Sequence, residues 1–153
     1  MRTPMTPAMR RALVVRLGLL WGAGLLGLGV GCVNANCEDG TACECSGNDC
    51  VCPSTGDCDI ECVGDCNLAC AGSGECDFTC GGDCLAECLG SGDCSAAMGP
   101  SSTGVCLGTG DCSFSCSGAC SVECAGSGEC TLACADDEAP TTCGVNLACG
   151  PCP

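Results

Sequence analysis

The chain contains no lysine, histidine or tyrosine, and its four basic residues are Arg2, Arg10, Arg11 and Arg16. All nineteen acidic residues lie at Glu38 or beyond. If the N-terminal segment is removed ahead of Cys32, 122 residues remain without a basic side chain. Phosphate contacts need lysine or arginine, so nucleic-acid binding is excluded as a partner class. Attraction to anionic lipid fails for the same reason. Without histidine, neither a Ser-His-Asp nor a Cys-His site can form, and the chain reads as a non-enzyme. Large apolar residues are scarce too: leucine, isoleucine, valine and phenylalanine make up fifteen of those 122 positions. So little apolar volume beside so much like charge leaves a chain disordered unless something other than a hydrophobic core holds it.

Cysteine is that something: there are 25, all at Cys32 or later. Upstream, the arginine-bearing residues 1–16 precede an uncharged apolar run from Leu17 to Val30, which ends at Gly31-Cys32. That run suits a signal-peptide core and is short for a membrane span. Gly31-Cys32 resembles the end of a bacterial lipoprotein signal, in which the cysteine is lipidated and becomes the new N-terminus. The resemblance implies a membrane partner through a lipid anchor on Cys32. The plain alternative is an ordinary secretory signal with Cys32 in a disulfide. Lipidation takes one cysteine from an odd total and leaves an even 24 for pairing. Either route puts the mature chain where disulfides persist. Val33 stands where enteric inner-membrane lipoproteins carry aspartate, which points to the outer membrane or the outside of the cell.

The cysteines repeat. Cys58, Cys76, Cys94, Cys112 and Cys130 are spaced by 18, and Cys52, Cys70, Cys88, Cys106 and Cys124 follow the same step. One unit has cysteines at positions 1, 5, 9 and 13, and a Gly-Ser-Gly-acid or Gly-Thr-Gly-acid turn precedes the next. This divides the chain into a signal peptide at 1–31, an N-terminal cysteine-rich cap and tether at 32–52, repeats at 53–134 and a C-terminal cap at 135–153. Cysteines four apart also suit a helical stripe, but each unit carries at least three glycines, each costing about 1 kcal/mol in a helix interior. The segments Cys58-Asp-Ile60-Glu-Cys62, Cys76-Asp-Phe78-Thr-Cys80 and Cys112-Ser-Phe114-Ser-Cys116 alternate strictly, as half-buried strands do. The expected fold is all-β: a small disulfide-stapled β-solenoid of about five 18-residue coils, with two short strands per coil.

Geometry then sets the pairing. Cysteines at the two ends of one strand lie about 13 Å apart, beyond disulfide reach, so bonds must cross turns. Positions 5 and 9 face each other across the short turn, giving Cys62–Cys66, Cys80–Cys84 and Cys116–Cys120. In the third coil, Met98 and Ser102 replace these two cysteines together, as the loss of a bonded pair requires. Position 13 pairs either back within its coil or forward to the next. Forward pairing gives Cys52–Cys58, Cys70–Cys76, Cys88–Cys94, Cys106–Cys112 and Cys124–Cys130. It also leaves four cysteines at each end (Cys37, Cys43, Cys45 and Cys50; Cys134, Cys143, Cys149 and Cys152) to close locally. This architecture resembles the disulfide-stapled solenoids of beetle antifreeze proteins, without their ranked Thr-x-Thr motifs. It is also similar to the short-repeat, cysteine-rich envelope proteins of myxobacteria.

Two constellations bear on chemistry. Cys43-x-Cys45, Cys50-x-Cys52 and Cys149-x2-Cys152 have thiolate-metal spacing, but an oxidising compartment without histidine favours disulfides. Asp57, Glu75, Asp93, Asp111 and Glu129 recur every 18 residues, and stacked coils put them in a line about 4.8 Å apart. Asp65 and Asp83 form a shorter second line. Such rows repel themselves unless screened or bridged, and calcium takes carboxylate oxygens. The plain reading is that acidic turns solvate the coil and discourage edge pairing. The expected function is a surface-displayed structural or interaction protein, an acidic rod without catalysis and without an obligatory cofactor. The alternatives are a calcium-binding module built on the acidic ladder and a secreted cysteine-rich toxin or inhibitor. The residues name no protein or surface partner.

Overall fold

A computed structural model describes residues 42–45, 48–52 and 54–152 of the chain. The leader, Cys32, Cys37 and the Cys43 side chain lie outside the described residues. Thirteen strands follow in order: β1 Ala42–Cys45, β2 Asn48–Val51, β3 Cys58–Cys62, β4 Cys66–Cys70, β5 Cys76–Cys80, β6 Leu85–Cys88, β7 Cys94–Met98, β8 Thr103–Cys106, β9 Cys112–Cys116, β10 Cys120–Cys124, β11 Cys130–Cys134, β12 Thr141–Cys143 and β13 Asn146–Cys149. They form a β-solenoid. Odd strands stack in one sheet, in the order β1-β3-β5-β7-β9-β11. Even strands stack in the other, where β13 and then β12 extend it beyond β10. Neighbours in the repeats are parallel and offset by one 18-residue coil, so Cys58 faces Cys76, Cys76 faces Cys94 and Cys94 faces Cys112.

Alternation fixes which side chains point inward. Cysteines end most strands, and between them one central residue is buried: Ile60, Phe78, Ala96, Phe114 and Leu132 in the first sheet, Leu68, Ala86, Gly104 and Val122 in the second. The two phenylalanines of the first column each meet a small residue of the second across the narrow interior. Phe78 shares its coil with Ala86, while the ring of Phe114 packs against Gly104 of the coil before. A Cβ on Gly104 would lie 2.7 Å from Phe114 Cε1 and 3.1 Å from Val122 Cγ2. A side chain at Gly104 would therefore displace Phe114 or Val122, as a close-packed interior demands.

Disulfides supply the rest of the interior. Positions 5 and 9 are bonded as Cys62–Cys66, Cys80–Cys84 and Cys116–Cys120. Position 13 is bonded forward, as Cys52–Cys58, Cys70–Cys76, Cys88–Cys94, Cys106–Cys112 and Cys124–Cys130. The ends close locally through Cys45–Cys50, Cys134–Cys149 and Cys143–Cys152. Cα separations in the forward pairs run from 5.8 Å for Cys52–Cys58 to 6.2 Å for Cys70–Cys76, within ordinary disulfide range. In the third coil, Met98 and Ser102 are both buried, and the Ser102 hydroxyl accepts the Cys84 N–H at 3.2 Å.

The turns stack as tightly as the strands. In the Gly-x-Gly-acid turns, a Cβ on Gly74 would run into the carbonyl of Gly56, and one on Gly92 into that of Gly74. The same collision recurs at Gly110 and Gly128, so the glycines recur because successive backbones touch there. Hydrogen bonds continue from coil to coil through these turns, from Ser91 N–H to the Gly72 carbonyl and from Thr109 N–H to that of Gly90.

On either side of the repeats expected at 53–134 the strands follow a different register. Upstream, β1 and β2 already belong to the two sheets although both fall within 32–52. There β2 keeps the 18-residue step, with Asn48 opposite Cys66, but β1 is offset by 17, with Cys45 opposite Cys62. Only two residues separate Cys45 from Asn48 where three separate Cys62 from Cys66, which throws the sequence period out of phase. Downstream, the cap reverses direction: β13 runs antiparallel to β10, with Cys120 opposite Cys149, and β12 folds back on β13. A single 3-10 turn at Ala135–Asp137 makes the crossing, with Asp136, Asp137 and Glu138 all exposed.

Candidate functional site

The register brings Asp57, Glu75, Asp93, Asp111 and Glu129 to one corner of the solenoid, all exposed. Each sits just before the cysteine that opens a strand of the first sheet, so its backbone belongs to the ladder. Cys58 N–H donates to the Glu75 carbonyl at 2.8 Å, Cys76 to that of Asp93 at 2.9 Å, Cys94 to that of Asp111 at 2.9 Å and Cys112 to that of Glu129 at 2.7 Å. The side chains have a second task. Asp57 Oδ1 accepts the Glu75 N–H at 3.1 Å, Asp93 Oδ1 the Asp111 N–H at 3.1 Å and Asp111 Oδ1 the Glu129 N–H at 2.8 Å. Each aspartate with a coil above it at this corner thus caps that coil. The longer Glu75 makes no such bond to Asp93.

These bonds give the acidic period a structural cause that sequence spacing alone did not show. At Glu75, Asp111 and Glu129 the turn leaves an N–H pointing along the stack, and an aspartate one coil earlier satisfies it. A carboxylate accepts such a bond more strongly than a neutral oxygen does, which offsets part of the repulsion along the row. Glu75, Asp93, Asp111 and Glu129, with Ser95, Ser113 and Thr131, line a shallow groove of about 280 Å³. Asp65 and Asp83 stand exposed at the short turns, Asp83 with a left-handed φ of 51°. Among the described residues, no three carboxylates bring their oxygens within 4.8 Å of one another.

Other outward pairs follow the same coil-to-coil logic. Asn67 Nδ2 donates to Asp49 Oδ1 at 2.8 Å, and Ser95 Oγ donates to Asp77 Oδ1 at 2.6 Å. Of the thiolate-metal spacings, none survives as a pair among the described sulfurs: Cys45 bonds to Cys50, Cys52 to Cys58, Cys149 to Cys134 and Cys152 to Cys143. The one group of three metal-ligand side chains that converges among the described residues is Cys116, Cys120 and Cys149, all three engaged in disulfides. No helix among the described residues is long and apolar enough to cross a membrane. Comparison with family models, with curated proteins and with solved structures finds no match to this chain.

Proposed function

We propose that this protein is a structural or interaction module of the cell envelope or the extracellular space: an acidic, disulfide-locked solenoid that presents a surface and catalyses nothing. The observation that carries this reading is the interior. Among the described residues it is filled by disulfides and one small or apolar residue per strand, an interior built for rigidity. Eleven disulfides join described residues, and bonds of this kind persist in oxidising compartments. The outward face offers carboxylates, hydroxyls and glycine turns, without the basic and aromatic anchors that dominate tight inhibitory interfaces.

Attachment through a lipid on Cys32 belongs to the same proposal and rests on the sequence before it. Growth of a bacterial host expressing the full chain with labelled palmitate tests it. The label is expected on the wild-type chain and absent from Cys32→Ala, which should leave the membrane fraction. An unlabelled wild-type chain released to the medium would contradict the anchor and favour a secreted effector. Calcium separates a ligand-binding module from a structural one: the capping role of Asp57, Asp93 and Asp111 predicts no thermal shift at millimolar calcium.

A further inference from the structure

We propose that the junction between the last repeats and the C-terminal cap is a thiol–disulfide exchange site, whose substrates are small aliphatic thiols and in which Cys116, Cys120 and Cys149 trade bonding partners. Two disulfides meet there. Cys116–Cys120 closes the short turn between β9 and β10, and Cys134–Cys149 ties the end of β11 to β13. The antiparallel register sets Cys120 opposite Cys149, and the Sγ atoms of Cys116, Cys120 and Cys149 all lie within 4.8 Å of one another. No other three cysteines among the described residues converge in this way.

Access is the second, independent observation. A surface pocket of about 210 Å³ opens at this junction, walled by Ser101, Ser102, Thr103, Cys120, Ser121 and Cys149 among others. Cys120 is 8% exposed and Cys149 6%, against 0–3% for the four forward pairs from Cys52–Cys58 to Cys106–Cys112; the last forward pair, Cys124–Cys130, is half-buried and more open still. A thiol can therefore reach this pair of bonds while most of the spine stays closed.

The exchange proceeds by attack of a thiolate on a disulfide sulfur. An incoming thiolate attacks Cys120 Sγ, the Cys116–Cys120 bond breaks and its electron pair goes to Cys116. The Cys116 thiolate then attacks Cys149 Sγ, forming Cys116–Cys149 and releasing Cys134, which takes a proton from water. A second thiol resolves the mixed disulfide on Cys120. Two small thiols become one small disulfide, and the protein ends with one new bond and two thiols, on Cys120 and Cys134. The cap loses its tie to β11 and gains one to β9.

Graded treatment of the oxidised full mature chain with 2-mercaptoethanol tests this. Alkylation and peptide mapping after acidic-site cleavage follow, since no lysine or arginine lies beyond Arg16. The expected result is a Cys116–Cys149 peptide with alkylated Cys120 and Cys134, appearing while the buried forward pairs from Cys52–Cys58 to Cys106–Cys112 are still intact; the half-buried Cys124–Cys130 is counted apart. Cys143–Cys152, whose Cys152 is exposed, opens independently and is counted apart. Opening of native pairs only, with no Cys116–Cys149 bond before the buried forward pairs are lost, would overturn the proposal. A Cys134→Ser variant needs no added thiol: its free thiol should distribute by alkylation over Cys149, Cys116 and Cys120. Alkylation confined to Cys149 would also overturn it. Should that variant fail to fold, the wild-type mapping decides alone.

Discussion

The third coil and the coils on either side of it make an internal experiment. The second and fourth coils close their short turn with Cys80–Cys84 and Cys116–Cys120, while the third puts Met98 and Ser102 in the same places. Yet the coil-to-coil hydrogen bonds of the short turn are kept. Gly99 N–H still reaches the Cys80 carbonyl at 2.9 Å, and Ser117 N–H reaches that of Met98 at 3.0 Å. The third coil also has the smallest central pair, Ala96 and Gly104, and borrows bulk from Met98 and from the Phe114 ring above. One missing staple is therefore tolerable where coil-to-coil hydrogen bonds and neighbouring side chains fill in. The disulfides act collectively, each limiting the unfolded chain, rather than shaping any one turn.

The comparison can be broken most severely by removing every staple at once. Full reduction under non-denaturing conditions is expected to abolish the β signal in circular dichroism, because the remaining apolar interior is too small to hold the fold. Next in size is Gly92→Val. Its Cβ would meet the backbone carbonyl of Gly74, which cannot move without separating two coils, so a loss of at least 3 kcal/mol is expected in chemical denaturation. Gly104→Ala meets side chains instead, the Phe114 ring and Val122, and is expected to cost about 1–3 kcal/mol.

Restoring the missing staple sharpens the comparison from the other side. The double substitution Met98→Cys and Ser102→Cys should form the fourth short-turn disulfide. A loop of this size contributes about 2 kcal/mol in the chain-entropy model. About 1 kcal/mol is lost with the Ser102 hydroxyl that accepts the Cys84 N–H, leaving a small rise in the melting temperature. The smallest effect is at the acidic corner: Asp111→Asn keeps an acceptor for the Glu129 N–H and should be nearly neutral. Asp111→Ala removes it and should cost about 1 kcal/mol. Equal stability of the two variants would show that the row has no capping role.

Much of this fold is legible because the two periods reinforce each other. An 18-residue cysteine step and a two-residue alternation within Cys58–Cys62, Cys76–Cys80 and Cys112–Cys116 admit few structures other than a stacked coil. The joint replacement at Met98 and Ser102 points to the short-turn bonds for the same reason, since one position has no use for cysteine without the other. What stays hidden is whatever breaks phase or depends on backbone contacts. The β1 strand is one residue out of step, so the 18-residue spacing does not reveal that Cys45 lies opposite Cys62. The antiparallel return of β13 has no periodic signal at all. At the acidic corner, aspartate and glutamate look equivalent in sequence, yet Asp57, Asp93 and Asp111 reach the next coil's N–H and Glu75 does not. The meeting of Cys120 with Cys149 follows from that same antiparallel return, which is why spacing alone reads Cys149-x2-Cys152 as a pair.

The central claim is that disulfides joining each coil forward to the next take the place of a hydrophobic core. Peptide mapping of the non-reduced protein tests it most directly. Links from Cys52 to Cys58, Cys70 to Cys76, Cys88 to Cys94, Cys106 to Cys112 and Cys124 to Cys130 are predicted. A Cys58–Cys70 link, closing a coil on itself, would contradict it.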